Sequence, residues 1–418
     1  MPLRPATLVL LVLSAAGLRC EDRWTEFRGP AGSGLSHSTG LPGEWSDAKN
    51  VVWKAPIHGR GWSSPVVLGS QVWLTTATRD GRELSVLALD RESGSVLRDI
   101  LLFRVDRPAD TARYNSFASP TPVIEDGRVY VHFGSYGTAA LDTRTGQTIW
   151  TRRDLPCNHW RGPGSSPMLW GELLIVHFDG YDQQYAVALD KRTGRTVWRA
   201  DRAYDFGTDD GDMKKAFATP VVIEAAGRPQ LISQAAKAVL SLDPNTGREL
   251  WRVRHASHSA AARPLFANGL LYVDSGRGPS ELLAIRPDGS GDVTATHVVW
   301  KATRGIGSSP SPILVNDLIF AVADKGGVVT CLDARTGAEL WQHRTGPHDH
   351  TASPLYADGA LYFFAEDGTA LLLQPGREYR ELGKAALDEG GVMATPAIAG
   401  RSIFLRTESH LYRLEKRP

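Results

Sequence analysis

Short apolar segments, separated by turn residues, recur along almost the whole chain. Residues 66–77 (VVLGSQVWLTTA) and 269–275 (GLLYVDS) are typical, with β-branched and aromatic side chains beside Gly, Ser, Asn or Asp. The 3.6-residue period of an amphipathic helix is scarcely visible in such segments. The pattern therefore predicts an all-β protein built from many short strands.

One phrase repeats along the chain. It runs from a small residue and Pro through three apolar strands, the third ending in Leu-Asp, to a Thr-Gly turn and a Trp. Its opening pairs are Ser64-Pro65, Thr121-Pro122, Ser166-Pro167, Thr219-Pro220, Arg263-Pro264, Ser311-Pro312, Ser353-Pro354 and Thr395-Pro396. Intervals of about 42 to 57 residues, with about four short strands each, are the signature of propeller blades.

The last unit has two further strands but no fourth strand with a Trp. The segment from Asn50 to Ile57 (NVVWKAPI) is an unassigned outer strand that carries Trp53. Pairing these two ends would remove the exposed edges of an open array. We therefore predict an eight-bladed β-propeller of four-stranded antiparallel blades, with the ring closed by the N-terminal strand.

Each part of the phrase has a physical reason. In Asp-x-x-Thr-Gly the carboxylate can accept hydrogen bonds from turn amides, and Gly accepts positive φ. The Trp that follows can fill the wedge between neighbouring blades. The clearest copies begin at Ala140, Ala188, Ser241 and Cys331, whereas in a weaker copy from Ala88 the Trp position is taken by Leu97.

These motifs resemble the pyrroloquinoline-quinone-like (PQQ-like) propeller repeat family over nearly the whole chain after residue 50. The segment from Trp24 (WTEFRGPAGSGLS), with Leu41-Pro42 and Trp45, is similar to the leader of a subgroup of exported members. The resemblance implies two opposite functions. Quinoprotein dehydrogenases hold a quinone and calcium on the propeller axis, whereas the outer-membrane assembly lipoprotein is a similar ring that binds partner proteins.

The dehydrogenase function implies an adjacent Cys pair, calcium ligands and a catalytic Asp, and this chain has no adjacent Cys pair and no CxxCH haem motif. We therefore expect no cofactor, with PQQ and calcium as the alternative. Cys157 and Cys331 are expected to be buried free thiols, with one disulfide between them as the alternative.

The net charge and the N-terminal segment indicate which surfaces the protein can bind and where in the cell it is expected. The 47 basic and 46 acidic residues give a net charge of +1, which argues against a nucleic-acid or anionic-membrane surface. Residues 1–20 are predicted to be a signal peptide with an apolar run from Leu8 to Leu13, too short to span a bilayer. Arg19 before Cys20 argues against lipid anchoring, so we expect a periplasmic or secreted monomer without transmembrane segments. Residues 21–49 would be a leader packed on the propeller of residues 50–418.

Loops that enter the first strand of each blade are expected to face the axial funnel, where propellers bind ligands. Their cationic and aromatic residues predict a site for an anionic ligand or an acidic peptide, although loops of any propeller carry polar residues that only cap turns. The candidates are Arg60, Trp62, Asn115, His159, Arg161, Lys214, His258, Arg304 and His350.

The sequence also contains residues that suggest a metal site or a catalytic site. His348 and His350 alternate on an extended segment and could share a metal, but no third ligand is evident. The acidic insertion 201–215 could gather calcium through its Asp residues, yet it lacks the spacing of known loops and is expected to be solvated. No Ser-His-Asp order and no distinctive carboxylate pair stands out.

The sequence thus predicts an exported, non-catalytic propeller that binds a protein or a small ligand. A PQQ-dependent alcohol or sugar oxidoreductase is the first alternative, and a metal-supported ligand-binding protein is the second. Neither the catalytic residues nor the functional face of the ring can be assigned from the sequence.

Overall fold

The computed structural model describes residues 23–417 and confirms the eight-bladed, four-stranded, antiparallel propeller. The signal-peptide prediction and Cys20 lie outside the described residues. Two blades carry a fifth strand, because Arg23–Trp24 pairs with the first strand of blade 1 and Gly291–Asp292 pairs with the last strand of blade 4. Within the described part of the chain, no helix is long and apolar enough to cross a membrane.

The strands of each blade follow one another from the axis outwards. Blades 1 to 4 comprise Val66–Leu68, Gln71–Ala77, Glu83–Asp90 and Val96–Arg104; Val123–Glu125, Arg128–His132, Thr138–Asp142 and Thr148–Arg152; Met168–Trp170, Leu173–Asp179, Gln184–Asp190 and Thr196–Asp201; and Val221–Ala225, Arg228–Gln234, Ala238–Leu242 and Glu249–Arg254.

The second half of the ring repeats this order. Blades 5 to 8 comprise Leu265–Ala267, Leu270–Asp274, Leu282–Ile285 and Val298–Ala302; Ile313–Val315, Leu318–Val322, Val328–Asp333 and Glu339–Arg344; Leu355–Ala357, Ala360–Phe364, Thr369–Leu373 and Glu381–Ala386; and Ala397–Ala399, Ser402–Arg406, His410–Glu415 and Val51–Pro56. The short helices of the described chain are Thr294–His297 (α) and the 3₁₀ turns Pro30–Gly32 and Gly211–Lys214.

The ring closes between the two ends of the propeller. Val51–Pro56 pairs antiparallel with His410–Glu415, so that Lys54 lies opposite Tyr412. This pairing supplies the fourth strand that the last repeat lacks, which confirms the predicted closure.

Neighbouring blades are joined through the repeated turns. Trp150 of blade 2 packs on Gly194, where any Cβ would overlap the indole, and its Nε1 donates to the Lys191 carbonyl at 3.0 Å. Within that turn, Asp190 accepts hydrogen bonds from the Thr193 amide and hydroxyl at 2.8 and 2.9 Å. The predicted roles of the turn carboxylate and the Trp wedge are both confirmed. The same Trp-to-turn bond is made by Trp53, Trp198 and Trp300.

Antiparallel alternation sends the loops of each blade to two opposite ends of the axis. The loops before the first strand and between the second and third strands open on one end, which we call the funnel face. The Asp-x-x-Thr-Gly turns and the first hairpins open on the other end, the turn face.

A belt of hydrogen bonds runs around most of the axis where the first strands begin. Five of the seven small hydroxyl residues before the repeated Pro donate their backbone N–H to the hydroxyl of the next blade. The bonds of 2.9 to 3.0 Å run from Ser64 to Thr121, Thr121 to Ser166, Ser166 to Thr219, Ser311 to Ser353 and Ser353 to Thr395. Arg263 occupies the one belt position that has no hydroxyl.

The leader, residues 23–49, crosses the axis beneath this belt. Its Thr25 carbonyl accepts a hydrogen bond from Ile124 of blade 2. On the opposite side, Arg263 of blade 5 donates to the Phe27 carbonyl at 2.7 Å and to the Glu26 carboxylate at 2.8 Å. The leader therefore spans the axial channel from wall to wall.

The leader then leaves along blades 6 and 7. Arg28 is fully buried and donates to the Pro312 carbonyl at 2.9 Å. Ser36 donates to the Tyr356 carbonyl, and Asp358 accepts a hydrogen bond from the Gly40 amide at 2.7 Å. The sequence predicted that the leader packs on the propeller, but not that it fills the channel.

Candidate functional site

A cavity of about 510 Å³ opens on the axis at the funnel face. Its volume lies within the range of small-molecule sites, roughly 300 to 1,000 Å³. Phe27 of the leader contributes to its lining. The belt hydroxyls in the lining are Ser64, Thr121, Ser166, Thr219, Ser353 and Thr395. The leader and the belt thus form a floor, and the site is a pocket rather than a pore.

The structure divides the nine axial candidates into two groups. Those that line the cavity are Trp62, Asn115, Arg161, His258 and His350. Those outside the lining are Arg60, His159, Lys214 and Arg304. The division follows the local folding of each entry loop.

Two of the four outlying candidates lie just behind the wall. The Arg60 guanidinium lies over the Trp62 ring at 5.0 Å and donates to the Arg113 carbonyl, so it supports Trp62 from outside. His159 is half-buried, and its Nε2 accepts a hydrogen bond from the Ser135 amide at 3.1 Å. Burial lowers the pKa of His159 to about 4, so this imidazole is neutral at physiological pH.

Within residues 23–417, the other two outlying candidates make no contact with the cavity lining that would bring them into the site. Lys214 closes a 3₁₀ turn, and its Nζ lies 6.0 Å from the centre of the Phe206 ring. Arg304 is exposed. The neighbour of Lys214, Lys215, is the lysine that lines the cavity.

Asn115 lines the cavity, but its side-chain hydrogen bonds are made to neighbouring protein groups rather than left available for a ligand. Its amide nitrogen donates to the carbonyls of Arg161 and Pro163 at 2.9 and 3.2 Å. Its Oδ1 accepts from the Ser116 amide and the Ser119 hydroxyl at 2.8 and 2.5 Å. All four hydrogen-bonding positions of the side chain are therefore used. Asn115 braces the backbone of Arg161, which adopts a φ of 79°.

Two guanidinium groups meet at one phenol on the cavity wall. Arg277 and Arg161 donate to the Tyr114 hydroxyl at 3.2 and 3.4 Å, and the Arg277 guanidinium lies 5.0 Å from the ring centre. Burial alone would raise the pKa of Tyr114, but the hydrogen bonds and charges of the two arginines outweigh it and lower that pKa. The wall therefore has a strong local preference for negative charge.

Lys215 adds a third cation to this wall. Its side chain is 1% exposed, and its Nζ lies 2.5 Å from the Asp212 carboxylate, which also pairs with Arg161 at 3.3 Å. Burial lowers the pKa of Lys215, although the hydrogen bond to Asp212 opposes this effect. Burial would raise the pKa of Asp212, but Lys215 and Arg161 hold it below its usual value. We call Arg161, Lys215 and Arg277 the basic wall, which has three cations against one carboxylate.

The candidate metal ligands are engaged elsewhere. The Asp210 side chain caps its own 3₁₀ turn by accepting from the Asp212 amide at 2.9 Å. His348 pairs with Asp367 at 2.7 Å, whereas His350 donates from Nδ1 to the Phe364 carbonyl at 2.8 Å. Across residues 23–417, no three His, Cys, Asp or Glu side chains gather in a way that could hold a metal ion.

Sequence reasoning missed half of the funnel because it considered only the entry loops. The loops between second and third strands also open on the funnel face. They contribute to the cavity lining Arg277, Asp324, Lys325 and Glu366. Strand alternation alone would have indicated these loops, whereas the position of Tyr114 within its long entry loop gave no signal.

Comparisons with known proteins agree with this architecture. The family model described as outer membrane protein assembly factor BamB matches residues 50–232 and again residues 182–417. The chain belongs to this family. A 151-residue stretch is 30% identical to BamB of Burkholderia pseudomallei and covers 35% of this chain and 37% of that protein.

The chain is also similar to an enzyme. Over 343 residues it is 22% identical to tetrathionate hydrolase of Acidithiobacillus ferrooxidans, covering 75% of this chain and 64% of the hydrolase. The chain therefore spans less than two thirds of the length of either curated relative.

Solved structures reproduce the BamB-family fold. BamB from Moraxella catarrhalis has a TM-score of 0.62 at 14% identity, and the match covers 88% of this chain and 97% of that chain. Quinohemoprotein alcohol dehydrogenase from Comamonas testosteroni has a TM-score of 0.69 at 12% identity, covering 95% and 81% respectively. At these identities the likeness concerns the fold alone.

The funnel residues do not fit a quinone held with calcium. The two oxygens of Asp324 accept hydrogen bonds from the Ser308 and Ser309 amides at 2.6 and 2.9 Å, and Asp212 is paired with Lys215. The calcium ion of such a pair requires several oxygen ligands in one place. Cys157 and Cys331 are both buried and free; Cys157 lies in the loop that enters blade 3, whereas Cys331 lies in blade 6.

Proposed function

We propose that this protein is an exported binding propeller that takes a small anionic ligand into its axial funnel. The basic wall binds the anionic group, and the floor of leader and belt prevents the ligand from passing through the ring. Because the pocket is closed at its floor, it favours a small ligand over a polypeptide chain threaded through the ring.

The observation that carries this proposal is the convergence of Arg161 and Arg277 on Tyr114. Two guanidiniums beside one phenol repel each other and leave donors available, so an anion placed between them would gain charge-assisted hydrogen bonds. The bracing of the Arg161 backbone by Asn115 fixes one donor before the ligand arrives. Such preorganisation lowers the entropic cost of binding.

Catalysis on a bound anion is a second candidate, supported by the similarity to tetrathionate hydrolase over 75% of this chain. In that case the basic wall would hold a sulfur oxyanion, and incubation with tetrathionate would consume it. If tetrathionate remains intact in the presence of the protein, the catalytic candidate is contradicted. The proposal that the funnel binds an anion would still stand.

The experiment is a thermal-shift and calorimetric titration of the purified protein with tetrathionate, citrate and PQQ, the last with and without calcium. A ligand that binds only the native state raises the melting temperature in a saturable way. We expect at least one calcium-independent anion to bind, and Arg277→Gln to weaken its binding by about tenfold or more, because it removes a charged donor.

The matched control is Arg335→Gln. Arg335 is an exposed arginine paired with Asp317 on the turn face, far from the funnel loops. It should leave the affinity unchanged. An anion affinity that Arg335→Gln lowers as much as Arg277→Gln would contradict a site in the funnel. Binding of PQQ that depends on calcium would support the oxidoreductase alternative instead.

A further inference from the structure

The wall of the funnel opposite the basic wall has a different chemistry. It is formed by the loops of blades 6 and 7, where Glu366 and His350 line the cavity. On the basic wall, Arg161 lies in the entry loop of blade 3 and Lys215 in the entry loop of blade 4. Arg277 lies in the loop between the second and third strands of blade 5. Residues of both arcs line the same cavity, so a ligand that fills it would contact both arcs.

Glu366 retains capacity to accept hydrogen bonds. Its Oε1 accepts from the Thr351 hydroxyl at 2.6 Å. Within residues 23–417 it takes part in no ion pair. The nearest lysine of this wall, Lys325, pairs with Asp349 at 2.7 Å. A carboxylate has about four acceptor positions, so Glu366 can bind further donors from a ligand.

His350 offers a second acceptor on the same side. The residue is 3% exposed, and its Nδ1 must carry the proton that it donates to the Phe364 carbonyl. Burial lowers the pKa of His350, so the ring is neutral and Nε2 is an acceptor. That Nε2 is buried and has no hydrogen-bond partner among residues 23–417. An unsatisfied buried acceptor is costly, and a donor from a bound ligand would satisfy it.

Aromatic side chains also line the cavity; they are Phe27, Trp62, Tyr114 and Phe217. Cations already cover one face of three of these rings, since Arg60 lies over Trp62, Arg277 over Tyr114 and Lys215 over Phe217. The remaining ring surface is apolar and can contact the C–H groups of a flat or ring-shaped ligand. The cavity thus has a basic wall, an acceptor wall and apolar surface.

We propose that the ligand is an acidic saccharide. Its carboxylate binds the basic wall, its hydroxyls donate to Glu366 and His350, and its ring faces pack on the aromatic side chains. This inference rests on the proposed anion-binding function and adds the chemical class of the ligand.

Calorimetric titration with digalacturonate tests the inference in the full-length protein. Digalactose, which has the same rings without charge, and adipate, a dianion without hydroxyls, are the comparison ligands. We expect digalacturonate to bind at least tenfold more tightly than either. Glu366→Gln should weaken digalacturonate binding about fivefold and leave adipate unchanged. Glu378→Gln, an exposed residue at the turn face, is the control and should change neither.

The ratio of digalacturonate to adipate affinity within each variant cancels any general loss of folding. Equal affinities for the two anions, or a ratio that Glu366→Gln does not lower, would overturn the saccharide inference while anion binding stands. Equal binding of digalactose and digalacturonate would overturn it as well, because the basic wall would then contribute nothing. If adipate, tetrathionate, citrate and digalacturonate all fail to bind, the proposed function itself fails.

Discussion

The two halves of the axial channel are built from the same repeat but have opposite properties. Above the belt, charged and aromatic side chains from non-equivalent loops border an open cavity. Below it, the leader fills the channel, and the three bonded nitrogens of Arg263 are used on Glu26, Phe27 and Pro220. The difference teaches that departures from the repeat, rather than the repeat itself, give this ring a site and a floor.

The closed half tolerates an unfavourable charge arrangement. Burial, and then the charge of Arg263, lower the pKa of Arg28 to about 9. Its Nε and Nη1 have no hydrogen-bond partner among the described residues. Backbone carbonyls of Ser33 and Pro312 receive its remaining donors, so the leader is held by main-chain geometry as well as by the Arg263–Glu26 pair.

Acid should affect the open half first. His132 is buried and His159 half-buried behind the funnel wall, and burial lowers their pKa values to about 3 and 4. In the unfolded chain an imidazole has its ordinary pKa of about 6.5 and binds a proton below that pH, whereas the folded protein keeps it neutral. The contribution of each imidazole to the free energy of unfolding is therefore complete above about pH 6.5 and is lost as the pH falls towards 4. At pH 5 we expect a loss of about 2 kcal/mol for each imidazole. Urea unfolding at pH 7.5 and 5 measures it.

His132→Asn should reduce the loss of stability between pH 7.5 and 5 by about 2 kcal/mol, and His37→Gln, at an exposed leader position, should leave that loss unchanged. A His132→Asn variant that loses as much stability as the wild type between pH 7.5 and 5 would contradict a neutral imidazole buried behind the wall.

Arg263→Met should disrupt the floor. It removes the clamp on Phe27 and leaves the Glu26 carboxylate without its partner, which we expect to cost about 3 kcal/mol. Arg335→Met breaks only an exposed pair and should cost less than about 1 kcal/mol. Chemical unfolding compares the two variants. Equal, small losses would mean that the leader contributes little to the closed half.

Gly32→Ala tests the same contact from the leader. Gly32 has a φ of 63°, and an added Cβ would overlap the Arg263 guanidinium, so we expect a loss of about 2 kcal/mol. Gly43 lies in the same segment with nothing within 4 Å of an added Cβ, so Gly43→Ala should be nearly neutral. Similar melting temperatures for the two variants would rule out a tight leader–Arg263 contact.

Arg277→Gln should have the smallest effect on stability, below about 0.5 kcal/mol, because the side chain is exposed at the cavity mouth. The same variant should lose most of the anion affinity. A variant that unfolds markedly more easily would show that Arg277 supports the fold rather than the site.

The sequence was sufficient for the fold because the repeat is periodic. The Asp-x-x-Thr-Gly turns and the Trp wedges follow from local patterns that occur in several repeats. The strand Val51–Pro56 follows from the same repeat, because it supplies the fourth strand that the last unit lacks. The placement of Trp62, Arg161, His258 and His350 on the cavity lining follows from the same periodicity.

The remaining features depend on contacts between distant segments. The hydrogen bonds of Arg263 to the leader span more than 200 residues, and no local pattern encodes them. One signal was visible, since Arg263 replaces the Ser or Thr of every other repeat opening. His159 and Lys214 lie outside the lining because their loops turn back on themselves, which spacing cannot reveal.

A crystal structure with digalacturonate, at about ten times its measured Kd, tests the central claim most directly. We predict the ligand above Phe27, with a carboxylate between Arg161 and Arg277. Density for the ligand only on the turn face, or in a through-channel left by a displaced leader, would contradict the account of a closed, one-sided anion site.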